Sequence, residues 1–140
     1  MMFLSNKPLM LERNSVEKLV NFSPKRCDAN PTKYRSKNLP GLVVIPIHGI
    51  LTKHASVFDT FLGSTSYDEI QSEIAFALND REIDTILLDI DSCGGETNGV
   101  FDLADFIFAA RGKKRIWAIA NDDAYSAAYA IASSAEKVFI

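Results

Sequence analysis

The residues of this chain best suited to chemistry are Asp91-Ser92-Cys93-Gly94-Gly95 and Ser126, which follows Gly95 by 31 positions within Ala124-Tyr125-Ser126-Ala127-Ala128-Tyr129-Ala130. Backbone N–H groups at glycines and a serine hydroxyl are what acyl transfer needs: a nucleophile for a carbonyl, and donors for the oxyanion that forms. Thr85-Ile86-Leu87-Leu88-Asp89-Ile90-Asp91 reads as a buried strand. The double glycine is then a turn at its carboxyl end, where open α/β sheets place their ligand sites. Ser126 follows a second apolar run, Ile116-Trp117-Ala118-Ile119-Ala120, and opens a helix. Adjacent parallel strands bring both groups to one rim, which is a hydrolase layout. Taken alone, Ser126 reads first as an ordinary helix N-cap.

The elements that must hold these groups are readable from apolar spacing. Leu42-Val43-Val44-Ile45-Pro46-Ile47 is a short strand, and Pro46 assigns it to an edge or a bulge because proline has no N–H to give to a ladder. Ser66-Tyr67-Asp68-Glu69 matches a capping box, and Tyr67, Ile70, Ile74, Ala77 and Leu78 recur at helical spacing to about Asn79. Val100, Leu103, Ala104 and Ile107 form the stripe of a second helix, which Gly112 ends. The basic triplet Lys113-Lys114-Arg115 reads as solvated, residues 126–135 as a small-residue helix, and Lys137-Val138-Phe139-Ile140 as a last strand. Strand and helix alternate, which predicts an α/β fold with a parallel sheet of β-α-β units. Before it, Leu9, Val16, Leu19 and Val20 give a helical pattern over 9–22, and 23–40 is a polar linker with three prolines. The division expected is a basic arm and linker, 1–40, and a folded body, 41–140.

A chain of 140 residues with 47% hydrophobic content can bury one core. Charge is unevenly placed: residues 1–38 hold eight Lys/Arg against three Asp/Glu, net +5, and residues 39–140 hold seven against fifteen, net −8. No aromatic spacing accompanies the basic arm, so it reads as solvated and no nucleic-acid partner is expected. Cys27 and Cys93 are too few and too separated for a disulfide framework or a metal cluster, so no metal or cofactor is expected. Met1-Met2-Phe3-Leu4 is soon broken by Asn6, Lys7, Glu12 and Arg13, and no window approaches the roughly 18 apolar residues of a spanning helix. A cytoplasmic protein without a transmembrane segment is expected.

An ordered set of segments resembles the serine peptidases of family S49, relatives of signal peptide peptidase A, and above all their phage head-maturation (capsid assembly) branch. The set runs from Asn6-Lys7-Pro8-Leu9 through Val43-Val44-Ile45-Pro46-Ile47-His48-Gly49-Ile50-Leu51, Thr65-Ser66-Tyr67-Asp68, residues 85–95, Phe101-Asp102-Leu103-Ala104-Asp105 and Ala124–Tyr129. The resemblance implies a ClpP/crotonase-like fold, here its N-terminal part, and a Ser-Lys dyad acting through an acyl-enzyme. It implies a polypeptide substrate, phage scaffold, capsid or portal proteins as partners, and a homo-oligomer when the protein is intact. By the same resemblance Ser126 is the nucleophile, and the N–H groups of Gly95 and Ala127 form the oxyanion hole. Gly95 has no Cβ to hold a carbonyl away, and the start of a helix adds its positive dipole end at Ser126.

The sequence departs from the family in two ways. Cys93 stands where the family has proline. Only 14 residues follow Ser126, whereas the family's general-base lysine lies several dozen further on, so the base is expected to be absent from a truncated chain. Lys137 reads as a surface residue at a strand start, Lys53, His48 and His54 as loop or strand-end residues, and Asp89 and Asp91 as carboxylates on one side of a strand. Two other readings remain from the sequence: an inactive assembly subunit binding scaffold or an intact protease, and a crotonase-like acyl-CoA enzyme, which the context of Ser126 disfavours.

Overall fold

Alternation of side chains decides the architecture. The computed structural model of the chain describes residues 9–11, 35–37, 39–56 and 61–140. Its central strands are β2 (Leu42–Thr52), β4 (Thr85–Glu96) and β5 (Arg115–Ala124). In each, every second residue is buried: Val43, Ile45 and Ile47; Ile86, Leu88 and Ile90; Ile116 and Ala118. Their neighbours Val44, Pro46, Leu87, Asp89, Trp117 and Ile119 are half-buried on the opposite face. The buried face packs on helices α1 (Tyr67–Asn79), α2 (Val100–Ala110) and α3 (Ala127–Ser134) in one core with Ile70, Ile74, Leu103, Ile107, Ala128 and Ile131. Each such Ile or Leu contributes roughly 1.5–3 kcal/mol by leaving water.

The sheet order is β3-β2-β4-β5-β6, where β3 is Thr65–Ser66 and β6 is Lys137–Phe139, and these five strands run parallel. The fold is therefore α/β with helices joining parallel strands, as the alternating pattern predicts. Pro46 lies opposite Asp89 in β4, while β3 adjoins β2 only at Leu51 and Thr52. Among the described residues no strand pairs with the other margin of β2 at Pro46, which suits a residue with no ladder donor, and a register shift follows between His48 and Ile50. Helix α1 starts at the expected capping box: the Ser66 hydroxyl accepts the Glu69 N–H at 3.2 Å, and the Glu69 carboxylate accepts the Ser66 N–H at 3.2 Å. Lys114, expected to be solvated with its neighbours, instead donates to the carbonyls of Ala77 (2.7 Å) and Asp80 and closes the far end of that helix.

Three further expectations are corrected. The glycine pair is not a turn, because β4 continues through it to Glu96. Likewise β5 runs on to Ala124 rather than stopping at Ala120. Both extensions are polar or small in sequence and are held by backbone pairing rather than by apolar side chains, so apolar spacing misses them. Leu9, read as the start of a helical stripe, belongs to strand β1 (Leu9–Leu11), which pairs antiparallel with Glu96, Gly95 and Gly94. The rest of that stripe, 12–22, and Cys27 lie outside the described residues.

Candidate active site

The carboxyl ends of β4 and β5 are locked together just before the serine. Ser92 lies opposite Ala124, and the next N–H, that of Tyr125, donates to the Ser92 carbonyl at 3.1 Å. The buried Ser92 hydroxyl donates to the Gly49 carbonyl of β2 at 2.6 Å and accepts the Gly94 N–H at 3.1 Å. One side chain thereby ties β2, the glycine strip and the approach to Ser126. The sequence offers Ser92 only as part of the glycine motif, with no role of its own; its only signal is a small hydroxyl inside a strand immediately before glycines.

Ser126 comes next, at φ 55° and ψ −117°, the only non-glycine residue with positive φ among the described residues. Holding an L-residue there costs of order 1–3 kcal/mol and occurs where the surrounding structure enforces it. The N-cap position is Ser126, yet its hydroxyl makes no capping hydrogen bond. The ordinary N-cap reading therefore fails on its own criterion, since a capping serine lends its oxygen to an N–H of the first turn. The chain leaves the strand, turns sharply at a half-buried serine and enters α3, the strand–serine–helix geometry of a nucleophile elbow. Ala127, fully buried, opens the helix, and first-turn N–H groups have no acceptor inside their own helix.

Gly95 sits three residues past Ser92 on the neighbouring strand, at the same rim. A Cβ there would lie 1.8 Å from the Leu51 carbonyl oxygen and 2.6 Å from the Leu51 nitrogen. Only glycine fits between β2 and this part of β4. The next residue, Glu96, is buried; its carbonyl accepts the Tyr67 hydroxyl at 2.5 Å and its carboxylate accepts the Lys53 N–H at 3.2 Å. Burial and the nearby Glu96 carboxylate push the Tyr67 phenol well above its usual range, so it stays protonated as a donor.

The remaining titratable candidates fall in several places on the fold. His48 Nε2 lies 3.1 Å from Asp89 Oδ2 on the less buried face of the sheet, and the second Asp89 oxygen is buried without a partner. His54 is bound to Asp68 at 2.5 Å at the exposed start of α1. Lys137 lies opposite Trp117 with its Nζ 5.6 Å from the ring centre, near the amino ends of the strands and so at the opposite rim from Ser126. Asp91 and Asp89 share a face, as their alternation predicts, but Asp91 reaches only the Asp123 N–H, at 3.5 Å. Lys53 is half-buried with its stem 3.2–3.4 Å from where a Cβ on Gly99 would stand. Cys93 lies in β4, not in a turn. No group of three or more His, Cys, Asp or Glu side chains that could hold a metal ion occurs among the described residues. No helix among them is long and apolar enough to cross a membrane.

A parallel α/β sheet with a strained serine at the carboxyl rim, beside a glycine strip, is an α/β protease-like arrangement. Comparison with known proteins agrees. Over 104 residues the chain is 40% identical to the head-tail preconnector protein GP5 of Enterobacteria phage P21, and over 111 residues it is 37% identical to capsid assembly protease C of Escherichia phage lambda. The aligned stretches cover 74% and 79% of this chain, but 20% and 25% of the relatives, so the chain spans about a fifth to a quarter of their length. No family model matches it. Over that stretch the chain is similar in sequence to a phage capsid assembly protease and to a phage head-tail preconnector protein.

Proposed function

We propose that the chain carries the nucleophile half of a serine endopeptidase of the S49 type, acting in phage capsid maturation within the cytoplasm. The observation that supports this best is Ser126: a strained, uncapped serine at a strand-to-helix turn, level with a strip where only glycine fits. In this reading the Ser126 hydroxyl attacks a peptide carbonyl, the N–H groups of Gly95 and Ala127 hold the oxyanion, and the acyl-enzyme is released to water. The general base is the dyad lysine that the resemblance places outside this chain; His48 and His54 are each engaged with a carboxylate and Lys137 belongs to the other rim, so none of these three takes its place. The substrate is a polypeptide of the scaffold, capsid or portal type, and the whole assembly is a homo-oligomer of the ClpP-like kind.

The test is to fuse the chain to the portion of capsid assembly protease C that lies outside the aligned stretch. The fusion is expected to cleave a scaffold polypeptide, and Ser126→Ala to lower kcat by about 10³-fold or more. Cleavage undiminished by Ser126→Ala removes Ser126 from the mechanism. A second reading, an assembly subunit without activity, draws on the similarity to a head-tail preconnector protein. A fusion that assembles with scaffold but never cleaves it favours that account.

A further inference from the structure

The strip beside Ser126 is already occupied. Along one edge of β4, β2 pairs as far as Ile50 with Gly94 and Leu51 with Gly95. Along the other edge β5 pairs only to Ala124 with Ser92, and the chain then turns at Ser126 into α3. A strand has two edges, so β1, which pairs with Gly94, Gly95 and Glu96, must lie on the edge that β5 vacates. It runs antiparallel, with Leu11 opposite Gly94, so its carboxyl end is the one nearer the Ser92–Tyr125 junction and Ser126. A polypeptide that is to place a carbonyl between Gly95 and Ser126 has to follow this same path.

We propose that Leu9–Leu11 is an internal occupant of the peptide-binding strip, a strand supplied by the chain itself that an incoming extended polypeptide displaces by adding its own backbone to Gly94–Glu96. Strand addition to a free edge is a general mode of peptide recognition in which main-chain hydrogen bonds provide the affinity. Gly94 and Gly95 carry no side chains to obstruct such a backbone. A three-residue strand is at the short limit for sheet pairing, and it is joined to β2 through thirty intervening residues, which places its release at the low end of local opening free energies. The occupant is therefore well placed to exchange. Its consequence for activity rests on the reading of Ser126 given above, but the strand exchange itself does not.

The experiment uses the full chain and hydrogen exchange at residues 94–96, with a synthetic peptide of residues 6–14 as the probe. Alternate N–H groups of β1 face β4, so Met10→Pro and Leu11→Pro are made separately and one of them removes a ladder bond. The variant that does so is expected to speed exchange over 94–96 by about tenfold while 86–90, in the core of the sheet, is unchanged. It is also expected to bind the added peptide at least tenfold more tightly than the parent chain and to regain protection when the peptide is present. Exchange and peptide affinity unaltered in both variants would overturn the proposal, as would faster exchange that the peptide fails to reverse. The fusion that keeps Ser126 separates the two readings. Exchange behaviour as expected, in such a fusion that never cleaves, sinks the peptidase reading and leaves the strand occupant standing. Cleavage with no strand exchange does the reverse.

Discussion

Gly95 and Leu51 approach so closely that a Cβ on Gly95 would stand 1.8 Å from the Leu51 carbonyl oxygen. The contact is backbone against backbone in paired strands, so no rotamer change relieves it. Gly95→Ala is expected to destabilise the fold by about 3 kcal/mol or more, beyond the usual range for overpacking a core. Gly112 supplies the comparison: its φ is +85° and a Cβ there meets nothing within 4 Å, so Gly112→Ala pays only for the left-handed backbone, roughly 1–2 kcal/mol. Denaturant midpoints for the two variants measure the difference. Equal losses would mean that β2 and β4 separate at little cost.

Ser126 allows a sharper test, because strain and chemistry predict opposite signs. Glycine relieves the positive φ, a saving of about 1–3 kcal/mol against roughly 0.5–1 kcal/mol of added unfolded-state entropy. Ser126→Gly is thus expected to stabilise the chain, while Ser126→Ala, which keeps the strain and loses no capping bond, leaves the melting midpoint nearly unchanged. A serine that served as an ordinary cap would show the reverse, with both substitutions lowering stability and alanine costing more.

Much of this arrangement is legible in the sequence where burial and local chemistry coincide. The run 85–91, the stripe Val100-Leu103-Ile107 and the Ser66/Glu69 pair each predict their element because spacing alone selects the buried face or the cap. Legibility fails where a segment is held by distant backbone. Gly94-Gly95 reads as a turn by composition and is a strand because Leu51 on one side and Met10 on the other are paired with it. Leu9 fits a helical stripe with Val16, and nothing local reveals that it pairs with Glu96. Ser92 is illegible for the same reason, since its hydroxyl acts on Gly49, 43 positions away. Ser126 was legible by type and place, but its left-handed backbone and uncapped hydroxyl are tertiary facts.

The helix that Ser126 opens is held at its other end by Arg111. Its Nε donates to the Ser134 carbonyl at 2.6 Å, and its Nη2 to Ala135 at 2.6 Å and Ser133 at 3.1 Å, while the guanidinium lies 4.3 Å from the Phe108 ring centre. These carbonyls end α3 and have no partners within it, and a cation is favoured there by the helix dipole. Arg111→Ala is expected to cost about 2–3 kcal/mol, and Arg111→Lys a smaller part of it, because lysine keeps the charge and loses the fork. Chemical unfolding with an unchanged denaturant slope would register the loss. A loss under about 0.5 kcal/mol for alanine would show that the contacts are replaced by water.

A carboxyl on α1 sets a pH dependence of definite sign. Burial pushes Glu73 up to about 7, and the Glu69 carboxylate one turn earlier adds to the shift. His54, Asp68, Glu69 and Ser72 line the same cleft as Glu73. In the unfolded chain the group ionises near the ordinary value of 4.5, so between about 4.5 and 7 the folded state binds more protons than the unfolded one. Stability is then fully retained below the lower value and falls as pH rises through the upper one. Glu73→Gln removes the burden of ionising that side chain. The variant is expected to melt higher than the parent at pH 8, with the gap closing as pH is lowered toward 4.5. Melting curves at pH 5, 6, 7 and 8 give the result, and a gap that stays constant, or that widens toward acid, would place the Glu73 carboxylate in water with an ordinary titration.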